Sequence, residues 1–228
     1  MTLKPVEHEI VETLQALKSS DAWRSMFAEI VCCAAYEKFL QASFVAQSNA
    51  RRQFIAAHEF EKVDVAFVRA ENRHEWWKTR TEDNGGDQPL VIGLLELKIC
   101  YPLTEDFPWT QYGPRAAAKK VAADIKKMRL KKELTNCTER LAMLAISTYE
   151  PRSLPSEAAR DGWKEQSGQE AIKALEGCES EFWDRIEECK RGVDRTSSKV
   201  DDVWLLKGEP LRSEDNRRAY CRAILVRG

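Results

Sequence analysis

LVIGLLELKIC, residues 90–100, is the most apolar run of the chain, and its reading decides the fold. Its eleven residues fall well short of the roughly 20 needed to cross a bilayer. The run is rich in Leu, Ile and Val. Asn84-Gly85-Gly86-Asp87 signals a reversal before it, and Pro102, Pro108 and Pro114 punctuate the irregular stretch 101–114 after it. A short apolar run bounded in this way predicts a strand buried on both faces of a sheet.

Upstream, Val63, Val65 and Phe67 alternate with Asp64, Ala66 and Val68, which predicts a second strand. Before it, residues 4–18 predict a short amphipathic helix that stops near Ser19-Ser20. Asp21 caps a longer helix running to about Asn49, with Trp23, Phe27, Ile30, Val31 and Ala34 at helical spacing. The period changes at Gln53, and residues 74–89 form a polar excursion. Downstream, Arg115 to about Leu134 predicts a basic amphipathic helix with Val121, Ile125 and Met128 as its apolar stripe. RLAMLAISTY (140–149) reads as another central strand. A helix near 169–191, a polar loop to about Val203 and a last strand in AYCRAILVRG (219–228) complete the chain. The order predicts one α/β domain over 1–228, a mixed central β-sheet flanked by helices. Its α-β-β-α-β core covers about 21–149, and 150–228 adds a C-terminal helix and strand that complete the sheet.

The 228 residues are 43% hydrophobic and 32% charged, enough for a real core under a soluble surface. Thirty-six basic against 37 acidic side chains leave a net charge of −1, which excludes a polycation but leaves room for a local basic patch. Seven cysteines with no C-x-x-C, beside three histidines, give no zinc-finger spacing and predict free thiols in a reducing compartment. The N-terminus, MTLKPVEHEIVETLQ, carries acids where a secretory signal would carry an apolar block. A soluble, cytoplasmic protein with no membrane partner is the expectation.

Asp64 lies inside VDVAFV, and Glu96 and Lys98 lie inside LLELKI. A charge in a buried strand costs several kcal/mol unless it is paired or binds a metal. Glu96 and Lys98 are two apart and share a strand face, while Leu95, Leu97 and Ile99 take the other. If the two strands are neighbours, two carboxylates and one ammonium converge. That set suits metal-assisted phosphodiester hydrolysis. Mg²⁺ wants hard oxygen ligands and keeps several waters, and Mn²⁺ can substitute. Asp64 and Glu96 are the expected ligands, with the main-chain carbonyl of Leu97 as a third. Lys98 is the cation facing the attacking water and the phosphoryl oxygens. The alternative is a buried ion-pair cluster with a purely structural role. Two further acid-x-Lys triplets, Asp124-x-Lys126 and Glu188-x-Lys190, fall in polar helical segments and read as solvated.

Asp64 followed by Glu96-Leu97-Lys98 on a later apolar strand resembles the PD-(D/E)xK signature of the restriction-endonuclease-like nuclease superfamily. The resemblance covers about 21–149, including ADIKKM (123–128), which looks like the helix that follows the catalytic strand. Val63 stands where the motif has proline, and residues 71–89 are an insertion. The resemblance implies a Mg²⁺-dependent nuclease acting on DNA, and it is compatible with a homodimer. It also implies an acid on the preceding helix, for which Glu29 and Glu37 are candidates. Glu59 is a further open position. Lys119, Lys120, Lys126 and Lys127 are candidate phosphate contacts, against a solvated helix face. Trp76, Trp77, Trp109 and Tyr112 are candidates for base stacking, against packing over the sheet edge. The rivals to catalysis are a silent nucleic-acid-binding scaffold and a protein-interaction module on the same fold.

Overall fold

The computed structural model describes residues 3–31, 36–60, 62–76, 90–102, 110–131, 134, 136–150, 160–190, 198–211 and 217–228; the side chains of 59, 60, 110, 160–167, 190 and 198 lie outside that set. The helices are α1 (Pro5–Lys18), α2 (Asp21–Val31), α3 (Tyr36–Arg51), α4 (Pro114–Arg129) and α5 (Arg160–Lys190). The strands are β1 (Phe54–Phe60), β2 (Val63–Arg69), β3 (Val91–Cys100), β4 (Glu139–Tyr149), β5 (Ser198–Pro210) and β6 (Arg218–Arg227).

The six strands form one mixed sheet in the order β1-β2-β3-β4-β6-β5. Only β3 and β4 run parallel, and the other neighbours are antiparallel. A parallel pair needs a crossover, and α4 supplies it. On one face Val65, Phe67, Leu95, Leu97 and Ile99 pack with Val6, Ile10, Leu14, Phe27, Leu40 and Phe44 of α1–α3. On the other, Ala66, Val68, Leu94, Ala142 and Leu144 pack beneath Val121, Ile125 and Met128 of α4 and Leu175, Phe182 and Ile186 of α5. Residues 90–100 are therefore a central strand covered on both sides, where each fully buried Leu contributes about 2 kcal/mol. At Gly93 an added Cβ would lie 2.9 Å from both γ-carbons of Val6, so glycine lets α1 approach the strand. Among the described residues no helix is long and apolar enough to cross a membrane.

Four expectations are corrected. The single helix over 21–49 is two, α2 and α3. The rings of Trp23 and Phe39 stack with centroids 6.4 Å apart, whereas sixteen residues of one helix would separate them by about 24 Å. A strand precedes Val63: β1 pairs with β2 through Phe54↔Arg69 to Phe60↔Val63. Of the loop expected up to Val203, residues 198–202 belong to β5 and 191–197 lie outside the described residues; register shifts at Lys199/Asp201, Trp204/Leu206 and Lys207/Glu209 break the alternation that would have marked the strand. Finally, α4 stops at Arg129 and α5 begins at Arg160, about nine residues before the expected start.

Candidate active site

Strands β2 and β3 pair as far as Val65↔Leu95 and then part. Asp64 fills the fork. Its Oδ2 accepts the Leu97 N–H at 2.8 Å, replacing a ladder bond that the diverging strands no longer make. Gln41 on α3 holds the same residue from the other side, its Nε2 donating to the Asp64 carbonyl at 2.9 Å.

Lys98 projects into this fork. Its Nζ donates to the Leu97 carbonyl at 2.7 Å and lies 3.3 Å from Glu96 Oε2, 3.2 Å from Asp124 Oδ2 and 3.7 Å from Asp64 Oδ2. The second oxygen of Glu96 takes Lys127 Nζ at 2.8 Å, and that ammonium also donates to the Lys62 carbonyl. Lys62 sits in the left-handed region at φ 64° in the turn between β1 and β2. Strand β3 and helix α4 thus each supply one acid and one base, paired crosswise.

The cluster is partly closed to water. Side-chain exposure is 4% for Glu96, 15% for Lys98, 18% for Asp64 and 19% for Asp124. Burial pushes the Glu96 carboxyl above its usual range, against the pull of Lys127 and Lys98. Burial likewise raises Glu37, which Lys98 opposes and Asp64 reinforces. Burial would lower Lys98, but Asp124, Asp64, Glu96 and Glu37 together outweigh it and hold the ammonium charged, above the ordinary lysine value.

The structure brings Asp64, Glu96, the Leu97 carbonyl and Lys98 together, and adds Glu37 and Gln41 from α3 and Asp124 and Lys127 from α4. Of the acids left open, Glu29 is half-buried on α2 and Glu59 lies on β1 with its side chain outside the described set. Asp124 is corrected: it is not a solvated helix charge but an ion-pair partner of Lys98. The signal that could have found it is positional. Lys120, Asp124 and Lys127 recur at i, i+4 and i+7, one stripe of α4, and the crossover turns that stripe toward β3.

The four candidate phosphate-binding lysines are not equivalent. Lys127 is engaged with Glu96, and Lys120 donates to the Gln111 carbonyl and lies over the Tyr112 ring. Lys119 and Lys126 are exposed, about 100° round the helix from them. Lys119 borders a groove with Arg115, Glu181, Asp184, Arg185 and Glu188. Trp76 is buried in the core beneath the sheet, and Tyr112 packs edge-on against Tyr101. Trp77 and Trp109 lie outside the described residues.

The donor set can be tested against a divalent cation. Among the described residues no three His, Cys, Asp or Glu side chains form a metal-holding group; the carboxylates here converge on an ammonium. Yet the ammonium is itself a cation seated among four oxygens, all of the hard type that Mg²⁺ prefers. Three carboxyls (Asp64, Glu96 and Asp124) meet the ammoniums of Lys98 and Lys127, and Glu37 beside them is also acted on by Lys120 and Lys38. Gln41 Oε1 is buried beside Asp64 with no hydrogen-bond partner among the described residues, an acceptor suited to a metal-bound water. The residues fit.

Comparison with protein-family models, with curated proteins and with solved structures finds no match to this chain. Fold and site define it as a mixed α/β protein with a partly buried acid–lysine cluster at a strand fork.

Proposed function

We propose that the chain is a Mg²⁺- or Mn²⁺-dependent nuclease that hydrolyses DNA phosphodiester bonds. The observation that carries this reading is the fork at which Asp64, Glu96, the Leu97 carbonyl and Lys98 meet. The succession α3-β1-β2-β3-α4-β4 supports it. It keeps the α-β-β-α-β order on which the restriction-endonuclease-like resemblance rests, with β1 added at the edge.

Asp64, Glu96 and the Leu97 carbonyl would hold the ion. When bound, a divalent ion polarises a scissile phosphate and lowers the pKa of a coordinated water. Lys98, held charged by the surrounding carboxylates, supplies positive charge to the phosphoryl oxygens as negative charge develops there. The Leu97 N–H fixes the rotamer of Asp64, and Gln41 fixes its backbone. Lys126 and Lys119, exposed on α4, are available to phosphates outside the cleft, which makes affinity fall with salt.

Cleavage of plasmid, linear and single-stranded DNA with Mg²⁺ or Mn²⁺, beside Glu96→Ala and Lys98→Ala, tests the reading. Metal-dependent cutting by the wild type that both variants lose is the expected result. Cutting that survives in both variants rejects the assignment. A second reading, a catalytically silent interaction module, draws on one observation: Glu96 and Asp124 already have lysine partners. It predicts no Mn²⁺ binding that depends on Glu96.

A further inference from the structure

The Lys98 ammonium stands where a divalent cation would have to go. Its Nζ lies 2.7 Å from the Leu97 carbonyl, 3.3 Å from Glu96 Oε2 and 3.7 Å from Asp64 Oδ2, the three oxygens assigned above to the metal. An ammonium and a divalent ion repel strongly at such separations in a partly desolvated site, so one must yield. Asp124 reaches the same ammonium at 3.2 Å, and it does so from α4 rather than from either strand of the fork. The second α4 charge, Lys127, is engaged by Glu96 Oε1 and the Lys62 carbonyl and lies at 3.9 Å from the other Asp124 oxygen, Oδ1. Of the acids outside the strands that act on Lys98, Asp124 and Glu37, Asp124 is the one at ion-pair distance once the strand oxygens are taken.

We infer that Asp124 is a positioning residue for Lys98. It draws the ammonium away from Asp64, Glu96 and the Leu97 carbonyl, which frees those oxygens for a divalent cation while keeping the lysine beside them. The unbranched lysine stem makes that excursion by rotation about its side-chain bonds. Without the Asp124 carboxylate, the ammonium falls back on the strand oxygens and competes with the ion. This inference rests on the metal-site reading above, and it adds that the lysine and the ion are alternative occupants sorted by a helix carboxylate.

A double-mutant cycle on the full chain, read as Mn²⁺ binding by calorimetry without nucleic acid, tests it. Asp124→Asn raises the Mn²⁺ dissociation constant by about tenfold, the size typical of residues that support a metal site from outside its ligand shell. Lys98→Met removes the competitor and tightens binding. In the Lys98→Met background, Asp124→Asn shifts the constant by less than about threefold, because no ammonium remains to be placed. An equal tenfold loss in both backgrounds makes Asp124 a ligand, and no loss in either makes it a bystander; each overturns the inference. Wild type that is folded yet binds no Mn²⁺ rejects the metal site itself. Wild-type binding without coupling rejects only the role of Asp124. Asn is isosteric with Asp, and Asp124→Ser repeats the cycle should the Asn variant fail to melt cooperatively.

Discussion

Lys98→Met keeps most of the side-chain volume and deletes one charge from the middle of the acid cluster. Removing one partner of a buried ion pair costs about 3–5 kcal/mol. Asp64 and Asp124 retain some solvent contact, at 18% and 19% exposure, and screening brings the expected loss to about 2–3 kcal/mol at neutral pH. For a chain of this size that lowers Tm by about 4–12 °C. The sign with pH is definite. In the wild type Lys98 is held above its unfolded value, so its contribution is complete below about pH 10 and is lost as pH rises toward the folded value. In the variant, Glu96 and Glu37, whose carboxyls burial already raises, lose the opposing pull of Lys98, and their folded values rise further above the unfolded ones. The variant then takes up protons on folding, and its deficit shrinks as pH falls toward about 5. On the proposed metal site, Mn²⁺ would act at neutral pH as protons do in acid: free ion at 100 times the dissociation constant would return about 2.7 kcal/mol. Thermal unfolding followed by circular dichroism at pH 7.5 and pH 5, with and without Mn²⁺, reads all of this. A variant as stable as wild type at pH 7.5, or one equally impaired at both pH values, contradicts the account.

Two predictions concern the frame that holds the site. Gly93→Ala places a Cβ 2.9 Å from the Val6 γ-carbons and costs about 1–3 kcal/mol by overpacking. Adding Val6→Ala recovers part of that loss in a denaturant melt, whereas simple additivity would show that α1 does not press on β3 there. Arg227 donates to both oxygens of Glu7, at 2.6 and 2.7 Å. It holds that carboxyl below its usual range against the upward push of burial. A lowered folded value stabilises above the unfolded pKa and is lost as pH falls through the folded one. Arg227→Met therefore loses about 3 kcal/mol at pH 7, and the gap to wild type narrows by pH 3.5. A gap that is constant across that range assigns the loss to packing alone.

Local pattern made part of this protein legible. The run 90–100 and the alternation at 63–68 mark strands because burial in a sheet repeats every two residues, and the same repeat exposes Asp64, Glu96 and Lys98 as charges in apolar surroundings. β5 escaped because its register slips, so the buried Val203, Leu205 and Leu206 do not alternate. The division of the long helical stretch into α2 and α3 escaped because both halves carry the same 3.6-residue period. The aromatic stacking of Trp23 and Phe27 on Phe39 becomes visible only when the chain folds back.

By itself, then, the sequence determined the central strands, the sign and position of three buried charges, and the mixed α/β character of the chain, since each depends on neighbours within a few residues. Tertiary structure decided the rest of the cluster. Asp124 and Lys127 have the composition of any solvated helix face, and Glu37 and Gln41 that of another. Only the parallel crossover, which lays α4 over β3, and the packing of α3 against the β2–β3 fork turn those side chains inward. Whether a charge is solvated or paired is set by which distant segment covers it, and that is a property of topology rather than of local spacing.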